Sequence, residues 1–279
     1  MLRLGLTETT LLFYYYLENI LNLDLNSIKL VNSQNTLINW LYSTSGFYDK
    51  SINGTYFDID VMKAKKSYLY NYYFSNLLRI IKEYNKNVQL CFHNIPKELN
   101  ECKDKFINYL NCKNKGSPNT FNPLFIHNII KNKRLLIINN LGILMKQQYE
   151  NGNLKKLNNF PELIDIDFIN PGYTWLNNKN GVELNFIVSL NKICNDIKKE
   201  IDNFDVVIIS VGAYSPFILD YIYNFLKKEA LVAGGELFNY FGISTKRNNP
   251  ERIEKEYHIF VPDELKPLDY EKIEGGCYW

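Results

Sequence analysis

Cysteine is scarce and unpatterned in this chain: Cys91, Cys102, Cys112, Cys194 and Cys277 make an odd count with no CxxC pair. That argues against a disulfide framework and predicts free thiols in a reducing compartment, the cytoplasm. Charge of one sign is also lacking. With 32 basic and 30 acidic residues and a net charge of +2, nothing favours nucleic acid or a membrane surface as a partner of the whole protein. No uncharged apolar run reaches about 18 residues, so no membrane-spanning segment is expected. Glu8 and Glu18 interrupt any apolar core that an N-terminal secretory leader would need. His127 and His258 have no partner at metal-ligand spacing. There is no GxGxxG, P-loop or GxSxG, so dinucleotide oxidoreductases, P-loop NTPases and α/β-hydrolases lack their usual signatures.

What is present is apolar patterning. At 279 residues and 46% hydrophobic, the chain can bury one large core, or a core with a smaller lobe. The crowding of Asn, Lys, Ile and Tyr reads as genomic base composition. The run Asp205 to Ser210 is short, apolar and β-branched, as a buried parallel strand should be. Gly212 then turns the chain, and Pro216 suits a first helical turn. A helix over Phe217–Leu226 ends in Lys227 and Lys228, cations at the negative end of its dipole. Ala230–Ala233 reads as the next strand, and Gly234 and Gly235 follow at once. Strand, glycine, helix, strand, glycine is the grammar of a βαβ unit.

Elsewhere, helices are expected over Thr9–Leu21, Thr36–Tyr42, Asp60–Tyr84, Pro96–Tyr109, Phe125–Lys131, Ile143–Glu150 and Glu183–Asp202. Strands are expected over Ser27–Val31, Val88–Phe92 and Leu135–Ile138. Gly46–Ile59, Asn111–Pro123 and Phe168–Lys179 read as loop or irregular chain, and Thr245–Trp279 as a segment extended over the surface. Alternating strands and helices indicate an α/β fold, Rossmann-like, with a mostly parallel sheet and helices on both faces. It divides either into lobes 1–131 and 132–279 facing across a crevice, or forms one continuous domain.

The turn Gly212-Ala213-Tyr214 and the run Gly234-Gly235-Glu236-Leu237-Phe238-Asn239-Tyr240-Phe241-Gly242-Ile243-Ser244-Thr245-Lys246-Arg247 resemble a family with a GaY turn and a GG-x-LQ-x-x-FGI-x-x-KRW signature. That family occurs in polysaccharide-synthesis gene clusters and large DNA viruses and looks related to the GT-D type of glycosyltransferase, which uses UDP-sugars on a Rossmann-like fold. Met145-Lys146-Gln147-Gln148-Tyr149 is similar to its Q-Q-Y-like element, and Gly276-Cys277-Tyr278-Trp279 to its GCYW ending. The likeness spans roughly Leu135 to Trp279. Three places depart from it. An R-x-G-x-x-E-like element, placed near Leu30–Asn35, reads Leu30, Asn32 and Asn35 at its key positions. The D-x-E pair of GT-D enzymes reads Leu237-Phe238-Asn239, and the tryptophan after Arg247 is Asn248.

The resemblance implies a nucleotide-diphosphate sugar as donor and a glycan as acceptor, with a divalent metal compatible and no cofactor demanded. Backbone amides at Gly212, Ala213 and Tyr214 would cradle the donor; a plain tight turn is the structural alternative. Gly234 and Gly235 suggest close backbone approach or positive φ. Asn139, Gln147 and Gln148 are candidates for sugar hydroxyls, and Tyr214 for stacking or for core packing. Lys246 and Arg247 would offset phosphate charge, unless they are a solvated pair. Glu236, which is equally a helix N-terminal acid, and His93 are the candidate bases. The leading expectation is a glycosyltransferase of surface polysaccharide or glycan synthesis. The alternatives are a catalytically degenerate sugar- or partner-binding protein and an enzyme for another anionic substrate.

Overall fold

A computed structural model of the chain describes residues 2–4, 6–25, 68–84, 88–90, 92, 95–111, 123–172, 186–246, 255–267, 270–272 and 276–279. Its centre is a four-stranded, all-parallel sheet ordered β4-β3-β5-β6. The strands are β3 (Arg134–Ile138), β4 (Asp165–Ile169), β5 (Val206–Ile209) and β6 (Glu229–Val232). Ile138 aligns with Ile169 on one side and with Ile209 on the other, and Ile209 aligns with Val232. Two short parallel pairs lie outside this sheet: β1 (Leu2–Arg3) with β2 (Val88–Gln89), and β7 (Ile243–Ser244) with β8 (Ile259–Phe260). The expected α/β class and parallel sheet are therefore observed.

Side-chain alternation along β3, β5 and β6 splits the core in two. Leu136, Ile138, Val207, Ile209 and Val232 enter one cluster; Leu135, Ile137, Val206, Ile208 and Leu231 enter the other. This is why these strands read as unbroken apolar runs: both faces are covered. The first face carries α1 (Leu6–Asn19), α2 (Tyr68–Glu83), α3 (Asn100–Leu110), α7 (Phe186–Glu200) and α8 (Ser215–Asp220). The second carries α4 (Pro123–Ile130), α5 (Gly142–Glu150), α6 (Asn153–Asn158) and α9 (Glu236–Tyr240). The first cluster runs from Leu2 to Val232, so it crosses the division expected at residue 131.

Several expectations change. β4 occupies part of the stretch read as irregular, and α6 was not anticipated. The helix after Gly212 is α-helical only to Asp220, then widens into a π turn over Tyr221–Phe225. Lys228 does not serve that helix end; its Nζ donates to Phe204 O at 2.9 Å. The described parts of Thr245–Trp279 are not wholly laid over the surface: Phe260 is exposed, but Val261 and Trp279 are buried in the second cluster. The asparagines have work of their own: Asn22, Asn111, Asn132 and Asn159 adopt left-handed backbone after α1, α3, α4 and α6, a conformation asparagine tolerates better than most residues. The expected Ser27–Val31 strand, Thr36–Tyr42 helix and Gly46–Ile59 loop lie outside the described residues.

Candidate functional site at the carboxyl ends of the strands

The chain runs from β3 outward to β4, then crosses back to β5 and β6. The connections after β3 and β5 thus leave in opposite directions, and between such strands open α/β sheets form their ligand crevice. Asn139 spans this point. Its Nδ2 donates to Ser210 O at 2.6 Å, its Oδ1 accepts from the Leu141 N–H at 2.8 Å, and its own N–H donates to Ile169 O at 3.2 Å. One buried asparagine therefore ties together the ends of β3, β4 and β5. Its amide is engaged by the fold, so it frames the crevice and does not reach into it. Beside it, Asn140 Oδ1 is buried and has no hydrogen-bond partner among the described residues.

After β5, Val211 N–H donates to Ser215 Oγ at 3.0 Å, and Gly212, exposed, takes φ +55°. That left-handed conformation is what a residue with a Cβ avoids. Ala213 and Tyr214 are buried; the Tyr214 ring stacks on Phe186 with centroids 4.5 Å apart. Of Tyr214's two expected roles, the structure takes core packing. After β6, Gly235 has φ −58° and neither Gly234 nor Gly235 adopts positive φ, which corrects that part of the expectation. Ser210 Oγ donates to Gly234 O at 3.5 Å, and Glu236 follows, half-buried, as the first residue of α9.

Gln148 lies elsewhere. It is 0% exposed; its Nε2 donates to Gly242 O at 2.9 Å and Tyr257 O at 2.7 Å, and its Oε1 accepts from Asn153 Nδ2 at 2.8 Å. With both amide protons held inside the fold, it has none for a sugar. Gln147 is exposed. Tyr149 Oη accepts from Leu163 N–H at 2.9 Å and donates to Leu163 O at 3.3 Å. Gly242, at φ +65°, belongs to the same interlock: a Cβ there would stand 2.5 Å from Gln148 Nε2 and 2.5 Å from Leu157 Cδ1. Tyr278 meets Phe238 edge-on at 6.4 Å. The QQY, FGI and GCYW segments thus pack together as structure. Lys246 is exposed on this side, while Arg247 and His93 lie outside the described residues.

The N-terminal half supplies groups that the sequence analysis did not single out. Tyr73, wholly buried on α2, donates its hydroxyl to Ala213 O at 3.2 Å. Glu8, in the first turn of α1, is 8% exposed. The Tyr73 hydroxyl titrates well above its ordinary value, first because it is buried and then because the Glu8 and Tyr214 charges lie near it. Glu8 therefore lies near the Tyr73 hydroxyl that holds the Ala213 carbonyl. In sequence, Arg3-Leu4-Gly5-Leu6-Thr7-Glu8 has an R-x-G-x-x-E order, while Leu30–Asn35 lies outside the described residues.

His127 is in the second core, against Phe160 and Tyr240, where burial pushes its imidazole pKa down. No described helix is long and apolar enough to cross a membrane. Among the described residues, no three His, Cys, Asp or Glu side chains gather as a metal-ligand set. Comparison of the chain with protein families, curated proteins and solved structures finds no match in any of the three.

Proposed function

We propose that the chain is a glycosyltransferase-like protein that takes a nucleotide-diphosphate sugar at the carboxyl end of its parallel sheet and passes the sugar to a glycan acceptor in the cytoplasm. The observation that carries this reading is convergence. Tyr73, from a helix of the N-terminal half, donates to Ala213 O in the Gly212–Tyr214 turn, beside the point where the strand order reverses, and Glu8 lies near the Tyr73 hydroxyl. Glycosyl transfer needs a cradle for the diphosphate, relief of charge on the leaving nucleotide, and a base for the acceptor hydroxyl. The exposed backbone at Gly212 offers the cradle. Glu236 opens α9 after the Gly234–Gly235 turn, Glu8 lies near the Tyr73 hydroxyl, and Glu8 takes the role of base in this reading. The R-x-G-x-x-E order at Arg3–Glu8 removes one of the three departures from the family pattern.

A second reading keeps the fold and drops the turnover. It is favoured by Leu237 and Asn239, which stand at the two acid positions of D-x-E and carry no carboxylate. Thermal unfolding against UDP-, GDP-, TDP- and CMP-sugars, with and without manganese, tests the pair. Binding raises the melting temperature by mass action, and one nucleotide class is expected to do so. Glu8→Gln is expected to retain that shift and to lose roughly a hundredfold or more in transfer rate. A shift without any transfer by the native chain selects the binding protein. A panel that leaves the melting temperature unmoved at millimolar concentration refutes the transferase and favours the degenerate protein, with its ligand among acceptor glycans or protein partners.

A further inference from the structure

A row of side-chain hydrogen bonds joins α2 to the chain that leaves β5, and its members keep step along both. Tyr73 Oη donates to Ala213 O at 3.2 Å, Arg79 Nη2 to Asp220 Oδ2 at 2.7 Å, and Asn224 Nδ2 to Glu83 Oε1 at 2.8 Å. Tyr84 then meets Tyr223 edge-on, with ring centres 5.3 Å apart. The residue numbers rise together, so α2 lies parallel to α8 and its π turn. The far end of the row is doubly tied. Arg79 also donates to Glu83 at 3.1 Å, and Asn224 to Asp220 at 2.7 Å, so each carboxylate accepts from both a guanidinium and an amide. The near end of the row is the crevice turn.

Inside that turn the bonds are local. Val211 N–H donates to Ser215 Oγ, Tyr214 N–H to Val211 O at 3.3 Å, and Ser215 N–H to Gly212 O. Tyr73 adds a tie from 140 residues away. Its ring is fully buried, with Phe74, Phe217 and Phe186 at centroid distances of 4.9, 5.1 and 5.4 Å. A phenol packed against three rings delivers its hydroxyl to one place. The Ala213 carbonyl shares a rigid peptide plane with the Tyr214 N–H. Tyr73 and Val211 therefore orient that plane from its two edges, and the exposed backbone of Gly212 lies directly before it.

We infer that Tyr73 is the positioning residue of the Gly212–Tyr214 turn, setting its exposed backbone for a ligand from a helix that Arg79 anchors at the other end. The inference rests on the proposed donor reading only for what the turn binds. Amide hydrogen exchange of the full chain, and its melting against the same UDP-, GDP-, TDP- and CMP-sugars, test it in Tyr73→Phe and Arg79→Gln. Tyr73→Phe keeps the ring and its packing and removes only the hydroxyl. Its exchange over Val211–Ser215 should rise roughly tenfold while β3 and β5 exchange as in the parent. Its affinity for the nucleotide sugar should fall roughly three- to tenfold, the scale of one lost hydrogen bond. Arg79→Gln should lower the ligand-free melting temperature at least as much, yet leave the turn's exchange and the affinity at parental values. Three results overturn the positioning role: unchanged exchange at the turn in Tyr73→Phe, parental affinity despite a freed turn, or an equal rise across turn and strands in both variants. A turn freed in Tyr73→Phe alone, with no nucleotide sugar shifting the parent's melting temperature, upholds that role and removes the donor reading.

Discussion

Gln148 and Gly242 show how one pair of residues fixes a local architecture. The glutamine donates to two carbonyls across the second core, and the glycine permits it by having no side chain and by adopting φ +65°. Gly242→Ala would combine left-handed strain with a displaced amide, a loss of about 2–4 kcal/mol. Gln148→Ala would leave the Gly242 and Tyr257 carbonyls without that donor, at about 1–3 kcal/mol. Gln147→Ala, one residue away but exposed, should stay within about 0.5 kcal/mol. Urea midpoints of the three variants check this order, and equal effects at 147 and 148 would contradict it. At the other end of the sheet, Asp205 accepts from the Arg134 backbone N–H at 3.0 Å and from its guanidinium at 2.7 Å. Those bonds hold its carboxyl well below the usual range. With the folded pKa depressed, the stabilisation is present above the unfolded carboxylate value of about 4 and is lost as pH falls below it. The pair is partly exposed, so solvent weakens it. Asp205→Asn should flatten the acid limb of stability between roughly pH 4 and 2, seen as a smaller fall in urea midpoint than the parent shows. Parallel curves would move the acid sensitivity elsewhere.

Among elements, β4, like α6, was hidden. β3 and β5 are legible because burial on both faces demands an unbroken apolar run. β4 reads Asp165-Ile166-Asp167-Phe168-Ile169, and its aspartates look like loop. The structure supplies their reason. Asn139 N–H donates to Ile169 O, so by alternation Asp165, Asp167 and Ile169 face β3, and Ile166 and Phe168 turn their N–H groups to the outer edge. There Asp165 Oδ1 accepts from Ile166 N–H at 2.8 Å, and Asp167 Oδ1 from Phe168 N–H at 2.9 Å. β4 is the terminal strand of its sheet, and an unpaired edge is a template for another chain. The two aspartates occupy that template. Replacing both with valine should leave the strand formed, since valine suits it better, but open two donors at the edge. Concentration-dependent association in sedimentation, absent from the parent at the same concentrations, is the expected outcome; an unchanged sedimentation profile would mean the edge is protected by something else. The helix exits carry a similar lesson: asparagine at 22, 111, 132 and 159 does what glycine more often does, and a composition-level reading cannot see it.

At the scale of the whole molecule, the sequence exposes the crevice more readily than what lines it. Strand, glycine and helix around Gly212 locate the carboxyl end of β5, because that grammar is local. Tyr73 reaches the same place from more than a hundred residues away in the chain, with Glu8 near its hydroxyl, and no periodicity reports such a meeting. The arrival of Tyr73 follows from the first core cluster, in which its ring packs with Phe74 of α2 and with Phe186 and Phe217. The same cluster bears on how the molecule unfolds. The sheet is shared: Ile138 faces the N-terminal helices, while Ile137 faces α4, α5 and the C-terminal segment. Neither face can be uncovered without exposing strands that the other face also needs. Both isoleucines are fully buried, and either change to alanine should cost about 2–5 kcal/mol. If the sheet couples its two covers, both variants lower the midpoint of one and the same transition, with calorimetric and van't Hoff enthalpies agreeing. If residues 1–131 and 132–279 unfold separately, differential scanning calorimetry resolves two transitions, and Ile137→Ala moves only the one belonging to 132–279. A single shared transition is the expected result, because the strands that divide the two cores are also what joins them.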